Sequence, residues 1–221
     1  MAMKTIGSLR IHETLEDFCT PERMALVVYD MQAGIIAQLP HGSMIVARVA
    51  RILDAARRGG FKVVFLRHLS MPRELMGAFQ YRQAMAWQRI DDPAAVTPWF
   101  QRGAASRRIV AELAPRESEA VLDKITFSAF EGTPLAMILR DCGLVAFALC
   151  GVAMEIGIEP TARHGADLGL TPIVVADACG AGHNEAAARA LANLAFMGDA
   201  VMTDEAALIA AMDASRERIR S

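Results

Sequence analysis

Six short runs rich in Val, Ile and Leu recur along the chain, and helical patterns separate them. The runs lack a strict alternation of apolar and polar residues, which is typical of strands buried on both faces of a sheet. They cover residues 24–30, 62–68, 120–125, 144–150, 172–178 and 200–204. Helices are predicted between and after them, at 43–60, 73–90, 133–143, 159–169, 183–198 and about 205–219. This alternation predicts an α/β, three-layer Rossmann-like fold in which helices flank a six-stranded parallel sheet.

Chain length and loop composition set the expected domain organisation. A chain of 221 residues favours one domain over two, so we predict a single domain over 1–221, with 1–22 as an N-terminal extension. The segment "DDPAAVTPWFQRG" at 91–103 contains two prolines and a tryptophan. We expect this segment to be a long loop that serves as a lid or as a subunit contact.

The charge balance and the cysteine content exclude several classes of function. Lys plus Arg is 23 and Asp plus Glu is 25, so the formal net charge is −2, which argues against a nucleic-acid partner and an anionic membrane surface. No uncharged apolar run approaches the length of a membrane span, about 20 residues. The four cysteines match no zinc pattern and no disulfide framework. We therefore expect no metal or other cofactor, and a reducing, cytoplasmic location.

The residues at the ends of the predicted strands are the first candidates for a functional site. In parallel α/β folds, ligands bind beyond the carboxyl ends of the strands. Asp30 ends the first run, His68 the second and Lys124 lies near the end of the third. The turn 150–157 and the segment 177–179 come at the ends of the fourth and fifth runs. A small-molecule substrate is the expected partner of such a site.

Asp30 and Lys124 each have a structural and a functional interpretation. An aspartate at a strand end is either a catalytic acid or base, or a cap on the following turn. The Lys124 ammonium either reaches solvent along its own methylene chain, or it faces Asp30 across the sheet edge and stabilises negative charge that develops there. The following "TFSAFEGTP" contains Phe127 and Phe130, which are expected to wall an apolar pocket.

Other polar side chains near the strand ends are open to two interpretations. His68 has no neighbouring ligand in a metal-binding spacing, so it is either a structural hydrogen-bond donor or a substrate contact. Glu155 lies in a strand-to-helix turn, where the helix amides favour an anion, but a solvated surface position explains it equally well. Glu159 needs no functional interpretation, because Arg163 is four residues further on and can form a helical ion pair with it.

Two of the cysteines lie close enough to strand ends to be considered as nucleophiles. Cys150 belongs to a buried run and is expected to be inert. Cys179 follows the fifth run and is expected nearer the rim of the sheet. A thiol nucleophile at one of these positions stays open as an alternative.

Four blocks of sequence resemble the isochorismatase-like hydrolases, also called the cysteine hydrolase superfamily. They are "LVVYDMQ" at the first predicted strand, "RH" at the end of the second, "KITFSAFEGTPL" at the third and "ALCGVAMEIGIEPTARHGADLG" at the fourth. The resemblance covers roughly 24–204, and the order and spacing of the four blocks are more specific than any one block. The family fold, a six-stranded parallel sheet flanked by helices, agrees with the strand pattern. The resemblance also implies a homodimer or homotetramer.

The resemblance implies roles for individual residues. In the family, the strand-one aspartate and the strand-three lysine are catalytic, and they correspond to Asp30 and Lys124. The fourth block of the family usually reads G-V-A-T-D-x-C-V, with the cysteine as nucleophile. Aligning it with residues 151–153 places Glu155 at the aspartate and Gly157 at the cysteine.

The same comparison implies a backbone feature and a set of substrate contacts. The family motif implies a cis peptide bond, which corresponds here to the bond between Val152 and Ala153. The residues expected to bind substrate are Gln32, His68, Phe127, Phe130, Ala153 and Gly157.

Glycine at position 157 leaves no nucleophile in the expected place, which decides the predicted mechanism. We expect non-covalent hydrolysis of a small carboxylated or cyclic metabolite, at a vinyl-ether C–O bond or an amide-type C–N bond. Asp30 is the predicted acid or base, Lys124 its charge partner, and Glu155 a second base or a support of the turn. The alternatives are a thiol-dependent amidohydrolase that uses Cys150 or Cys179, and a non-catalytic ligand-binding member of the family.

Overall fold

The computed structural model describes residues 4–220 of the chain. Its strands are β1 (Lys4–Ile6), β2 (Leu9–Ile11), β3 (Met24–Tyr29), β4 (Lys62–His68), β5 (Ala120–Lys124), β6 (Ala146–Val152), β7 (Thr171–Gly180) and β8 (Val201–Thr203). Its α helices are α1 (Leu15–Phe18), α2 (Ala33–Ile36), α3 (Gly42–Gly59), α4 (Ala78–Gln88), α5 (Leu135–Asp141), α6 (Glu159–Asp167), α7 (Asn184–Met197) and α8 (Glu205–Arg220). Residues 1–3 and 221, which belong to the predicted N-terminal extension and the predicted domain, lie outside the described residues.

Strands β3 to β8 form one sheet in the order β5-β4-β3-β6-β7-β8, and every neighbouring pair is parallel. The predicted α/β fold class and the six predicted strands of the sheet are confirmed. From β3 the chain builds outward through β4 and β5, and it then crosses back to build β6, β7 and β8 on the other side. The strand order therefore reverses between β3 and β6, which is where ligands bind in open α/β sheets.

The central strand β3 shows how the sheet is covered on both faces. All of its residues are buried, and successive side chains point to opposite faces. Leu26 and Val28 lie in one hydrophobic core with residues of α3 and α8. Val27 and Tyr29 lie in a second core with residues of α5, α6 and α7. Helices on both faces give the predicted three layers.

Helix α3 illustrates how the sequence specifies the covering helices. Apolar side chains that recur every three or four residues form one face of the helix, and all of them are buried: Ile45, Val46, Val49, Ile52, Leu53 and Ala56. The helix ends where Gly60 takes a left-handed conformation with φ of 76°, which glycine adopts without a steric penalty. The Phe61 N–H then donates to the Ala56 carbonyl at 3.0 Å and closes the end of the helix. Gly60 thus forms the C-terminal cap of the helix.

Two segments differ from the prediction. Residues 4–11 form an antiparallel hairpin of β1 and β2 inside the predicted extension, and its residues are exposed, so no buried face marks it in the sequence. The predicted helix 73–90 is interrupted: a 3₁₀ turn covers Arg73–Leu75, and α4 begins only at Ala78. No residue of α4 is fully buried, which agrees with its ambiguous apolar pattern. Within the described residues, no helix is long and apolar enough to cross a membrane.

Candidate active site

Asp30 and Lys124 form a buried ion pair at the carboxyl edge of the sheet. Asp30 directly follows β3, Lys124 is the last residue of β5, and β4 runs between these strands. The Lys124 Nζ donates to Asp30 Oδ2 at 2.8 Å and to the Thr126 carbonyl at 3.2 Å. Only 6% of Asp30 and 4% of Lys124 is exposed. Lys124 therefore faces Asp30 and does not extend into solvent.

Asp30 combines a rare backbone conformation with an unpartnered oxygen. Its φ of 47° lies in the left-handed region, which costs a non-glycine residue about 1–2 kcal/mol, and strained residues of this kind cluster at functional sites. Its N–H donates to the Leu66 carbonyl at 3.1 Å, which helps to fix this conformation. The second carboxylate oxygen, Oδ1, is buried and has no hydrogen-bond partner among residues 4–220. Because buried polar atoms are nearly always paired, a bound molecule is the expected partner of Oδ1.

The ion pair lines a cleft of about 560 Å³, a volume suited to a small metabolite. Most of the wall is apolar, and it is formed by Tyr29, Ile35, Leu39, Trp87, Trp99, Phe100, Phe127 and Ile156. Trp99 and Phe100 belong to the segment 91–103, so the predicted lid or interface loop lies against this cleft. The remaining charged or titratable groups are His68, Arg89, Glu155 and His183. Apolar walls with a few convergent polar groups are typical of small-molecule sites.

The turn after β6 brings Glu155 to the same cleft. The peptide bond between Val152 and Ala153 is cis, which confirms the bond implied by the resemblance. Residues Met154–Ile158 then form one π-helical turn before α6 begins. Glu155 Oε1 accepts a hydrogen bond from the His183 N–H at 2.6 Å, whereas Oε2 is buried and has no partner in the described part of the chain. One oxygen of Glu155 therefore anchors the loop after β7, and the other stays unpaired at the cleft.

His68 contributes a neutral, packed ring to the cleft wall. Its ring lies edge-on to Trp87 and Phe100, with centroid separations of 6.2 and 5.5 Å. Burial is the main cause that lowers the pKa of His68 to about 4, because a charged imidazole is poorly solvated there. At neutral pH His68 therefore offers ring edges and a neutral nitrogen to a ligand, and no positive charge.

Gln32 supports the site from behind and does not line the cleft. Its side chain is fully buried. The Oε1 atom accepts a hydrogen bond from the His68 N–H at 2.7 Å, and Nε2 donates to the carbonyls of His68 and Arg107 at 3.0 and 3.1 Å. The amide thus ties the end of β4 to the segment around Arg107.

The other predicted substrate contacts are divided between cleft and core. Phe127 and Ala153 line the cleft. Phe130 instead packs in the core against Phe147, with ring centroids 5.3 Å apart. Gly157 is also absent from the cleft wall, and the Tyr29 side chain lies directly beside it.

Cys150 and Cys179 lie in neighbouring strands of the sheet and away from the cleft wall. Burial raises the pKa of Cys150 to about 12 and raises the pKa of Cys179 well above its usual range. The Cys179 thiol donates to the Leu149 carbonyl at 3.7 Å. Both sulfurs are therefore protonated at neutral pH, and a protonated thiol is a poor nucleophile.

Tyr29, Arg89 and His183 are among the cleft residues that the sequence did not single out. A signal for Tyr29 exists, since it is the one hydroxyl in an otherwise apolar strand and directly precedes Asp30. Arg89 has no such signal, because it caps α4 in a left-handed conformation with φ of 55° and α4 has no clear apolar face. Among residues 4–220, no three His, Cys, Asp or Glu side chains are grouped so that they could hold a metal ion.

A parallel sheet with a buried ion pair at its carboxyl edge, beside a largely apolar cleft, is the arrangement of an α/β protein with a candidate small-molecule site. Residues 24–206 match the family described as the isochorismatase domain, and the chain therefore belongs to the isochorismatase family. This confirms the predicted membership and makes the chain an isochorismatase-family hydrolase.

Individual relatives agree with this assignment. An uncharacterised isochorismatase family protein of Escherichia coli O157:H7, YecD, is 35% identical over 167 residues, which are 73% of this chain and 81% of the relative. The ureidoacrylate amidohydrolase RutB of Serratia proteamaculans strain 568 is 28% identical over 173 residues, which are 72% of this chain and 70% of the relative. A solved cysteine hydrolase from Pseudomonas syringae pv. phaseolicola 1448A superposes with a TM-score of 0.74 at 23% identity, over 89% of this chain and 95% of that one. At 23% identity, the likeness to this solved structure shows a shared fold alone.

Proposed function

We propose that this chain hydrolyses a small carboxylated or cyclic metabolite by acid/base catalysis, without a covalent intermediate. The observation that carries the proposal is the Asp30 carboxylate. Lys124 holds one of its oxygens, and the other is buried at the cleft without a partner. An oxygen in this state is available to exchange a proton with a bound substrate or water. The bond that is cleaved is a vinyl-ether C–O bond or an amide-type C–N bond.

For a vinyl ether, Asp30 acts as the general acid. Its proton goes to the terminal carbon of the double bond, and the resulting oxocarbenium ion takes up water. The water loses a proton to Glu155 or back to Asp30, and the hemiketal then splits into a ketone and an alcohol. Lys124 stabilises the carboxylate that Asp30 becomes when it has given up its proton.

For an amide, Asp30 acts as the general base. It takes a proton from a water molecule that attacks the carbonyl carbon, and the tetrahedral intermediate forms as the carbonyl oxygen gains negative charge. The proton then passes from Asp30 to the leaving nitrogen when the C–N bond breaks. The amidohydrolase among the relatives favours this bond, whereas the family name favours the vinyl ether.

Position 157 supports a mechanism without a covalent intermediate. In the resemblance, Gly157 takes the place of the nucleophilic cysteine, and glycine has no side chain that could attack a substrate. The alternative thiols of Cys150 and Cys179 are protonated and lie away from the cleft wall, as described above. These observations support attack by water as the proposed route.

Arg89 supports a carboxylated substrate. It lines the cleft, and its exposed guanidinium makes no hydrogen bond or ion pair with other residues in the described range 4–220. Lys124 is already paired with Asp30, and His68 is neutral. A guanidinium binds carboxylates through two parallel hydrogen bonds, so Arg89 is the expected partner of a substrate carboxylate.

The test is direct turnover by the purified protein. Isochorismate in a pyruvate-coupled assay represents the vinyl ethers, and a panel of amides and ureides represents the C–N substrates. Activity on a member of either group should fall at least about 100-fold in Asp30→Asn and in Lys124→Ala. Activity that survives both substitutions would refute the assignment. Ligand-dependent melting shifts without turnover on any compound would favour the non-catalytic alternative.

A further inference from the structure

The side chain of Tyr29 occupies the space beside Gly157. A Cβ atom built on Gly157 would lie within 3.0 Å of the Tyr29 hydroxyl oxygen and of its ring carbons Cε1 and Cζ, which is closer than real Cβ atoms pack. The backbone of Gly157 does not have a positive φ, so it would accept any residue. Glycine is therefore required at position 157 by the Tyr29 ring and not by the backbone conformation.

Contacts on several sides hold the Tyr29 ring in this place. The residue is 2% exposed, and its hydroxyl donates to the Phe127 carbonyl. The Lys124 Nζ lies 4.2 Å from the centroid of the same ring, a favourable arrangement of a cation over an aromatic face. One side chain thus contacts the turn after β6, the loop after β5 and the ammonium that pairs with Asp30.

We propose that Tyr29 is a positioning residue with two linked effects: it excludes any side chain from position 157, and it holds the Lys124 ammonium toward Asp30. The first effect concerns packing alone, and the second rests on the proposed function. Burial, and to a lesser extent the Asp30 carboxylate, raises the pKa of the Tyr29 phenol well above its usual range. The phenol therefore stays protonated at neutral pH.

A practical consequence follows for attempts to install a nucleophile. The single substitution Gly157→Cys would place its Cβ atom inside the volume of the Tyr29 ring. A thiol at this position therefore requires a second change at Tyr29 that removes the outer ring atoms. The sequence signature of the non-covalent site is then a pair, tyrosine before Asp30 together with glycine at 157.

The packing effect is tested by a cycle of stability measurements that needs no substrate. Gly157→Ala should lower the melting temperature by roughly 3–10 °C, as overpacking of a core does. Tyr29→Leu lacks the atoms that collide, so in its background Gly157→Ala should cause no fall. Tyr29→Phe keeps Cε1 and Cζ, so in its background most of the fall should persist. If Gly157→Ala alone fails to fold, recovery of folded protein by Tyr29→Leu but not by Tyr29→Phe would support the same conclusion.

Gly165→Ala is the matched control in this cycle. A Cβ atom at Gly165 would collide with the Phe147 ring and does not meet Tyr29. Its fall in melting temperature should therefore be the same with and without Tyr29→Leu. The packing effect is overturned if Gly157→Ala is equally destabilising in the wild-type and Tyr29→Leu backgrounds, or if Tyr29→Leu relieves both glycine substitutions alike.

The positioning effect is tested by kinetics on whichever substrate the protein turns over. Tyr29→Leu removes the ring beneath the ammonium and should lower kcat by roughly tenfold or more, with little change in KM. Tyr29→Phe keeps the ring and should recover most of that loss. A loss that appears in KM alone, or an equal loss of kcat in both variants, would overturn this effect. If Asp30→Asn retains activity, the proposed function fails instead, and the stability cycle still decides the packing effect.

Discussion

Loss of the Lys124 ammonium should lower the stability of the folded protein, because it breaks the buried ion pair with Asp30. Lys124→Met keeps the length of the side chain but removes the ammonium, which leaves the buried carboxylate of Asp30 without a partner on either oxygen. Breaking a buried ion pair in this way costs about 3–5 kcal/mol of unfolding free energy. For a chain of this size, that corresponds to a fall in melting temperature of roughly 6–20 °C.

The matched change on the other partner is Asp30→Asn. Asparagine tolerates a left-handed backbone, such as the φ of 47° at this position, and it carries no charge. In the double variant Asp30→Asn/Lys124→Met, no buried charge remains at the pair. The double variant should therefore be more stable than Lys124→Met alone, with a coupling energy of about 2 kcal/mol.

Urea unfolding at neutral pH, followed by circular dichroism, measures the free energy of unfolding of the wild type, the two single variants and the double variant. Arg58→Met is the control, because the ion pair of Arg58 and Asp213 has N–O distance 3.6 Å and both side chains are about half exposed. Its loss should cost less than about 1 kcal/mol. The reasoning is refuted if Lys124→Met is no more destabilising than Arg58→Met, or if the two substitutions at the buried pair are additive.

Three further predictions concern other residues of the cleft and the two buried thiols. Glu155→Gln keeps an acceptor for the His183 N–H but loses the charge, so it should lower kcat about 100-fold if Glu155 takes the proton of the attacking water, with an unchanged melting temperature; full activity would assign Glu155 a structural role only. Burial lowers the pKa of His68 from 6.5 to about 4. Between these two pH values, His68 is protonated in the unfolded chain and neutral in the folded chain. The free energy of unfolding should therefore decrease by up to about 3 kcal/mol because of His68 as the pH falls from near 6.5 to near 4. In His68→Gln this decrease should be smaller over the same pH range. The double variant Cys150→Ala/Cys179→Ala should have an unchanged kcat/KM. A loss of turnover would support the alternative in which one of these thiols is the nucleophile.

The sheet was predictable because its central strands β3, β4, β6 and β7 are largely buried on both faces. Apolar runs such as 24–30 and 62–68 need no alternation, and Asp30 interrupts the first of them at its end. Once the parallel order is known, the strand ends meet at one edge, and Asp30 and Lys124 are brought together by topology alone. The cis bond at Val152 and the family membership came from the resemblance and not from the periodicity.

The packing between strand ends was not predictable from local sequence. The collision between a side chain at 157 and the Tyr29 ring involves residues 128 positions apart, and no local pattern around either residue indicates that the two lie in contact. Gln32 and Phe130 were expected at the substrate, but their side chains turn away from the cleft. A sequence motif places a residue near a site, whereas the direction of its side chain depends on neighbours far along the chain.

The most direct test of the central claim is the mass of the intact protein during turnover. The wild-type enzyme is mixed with the best substrate from the panel, quenched in acid within the first turnover and analysed by intact-protein mass spectrometry. Attack by water predicts an unmodified chain at every time point while product accumulates. An acyl or carbamoyl adduct that appears and decays at the rate of turnover would contradict the account and show that a side chain of the protein acts as nucleophile.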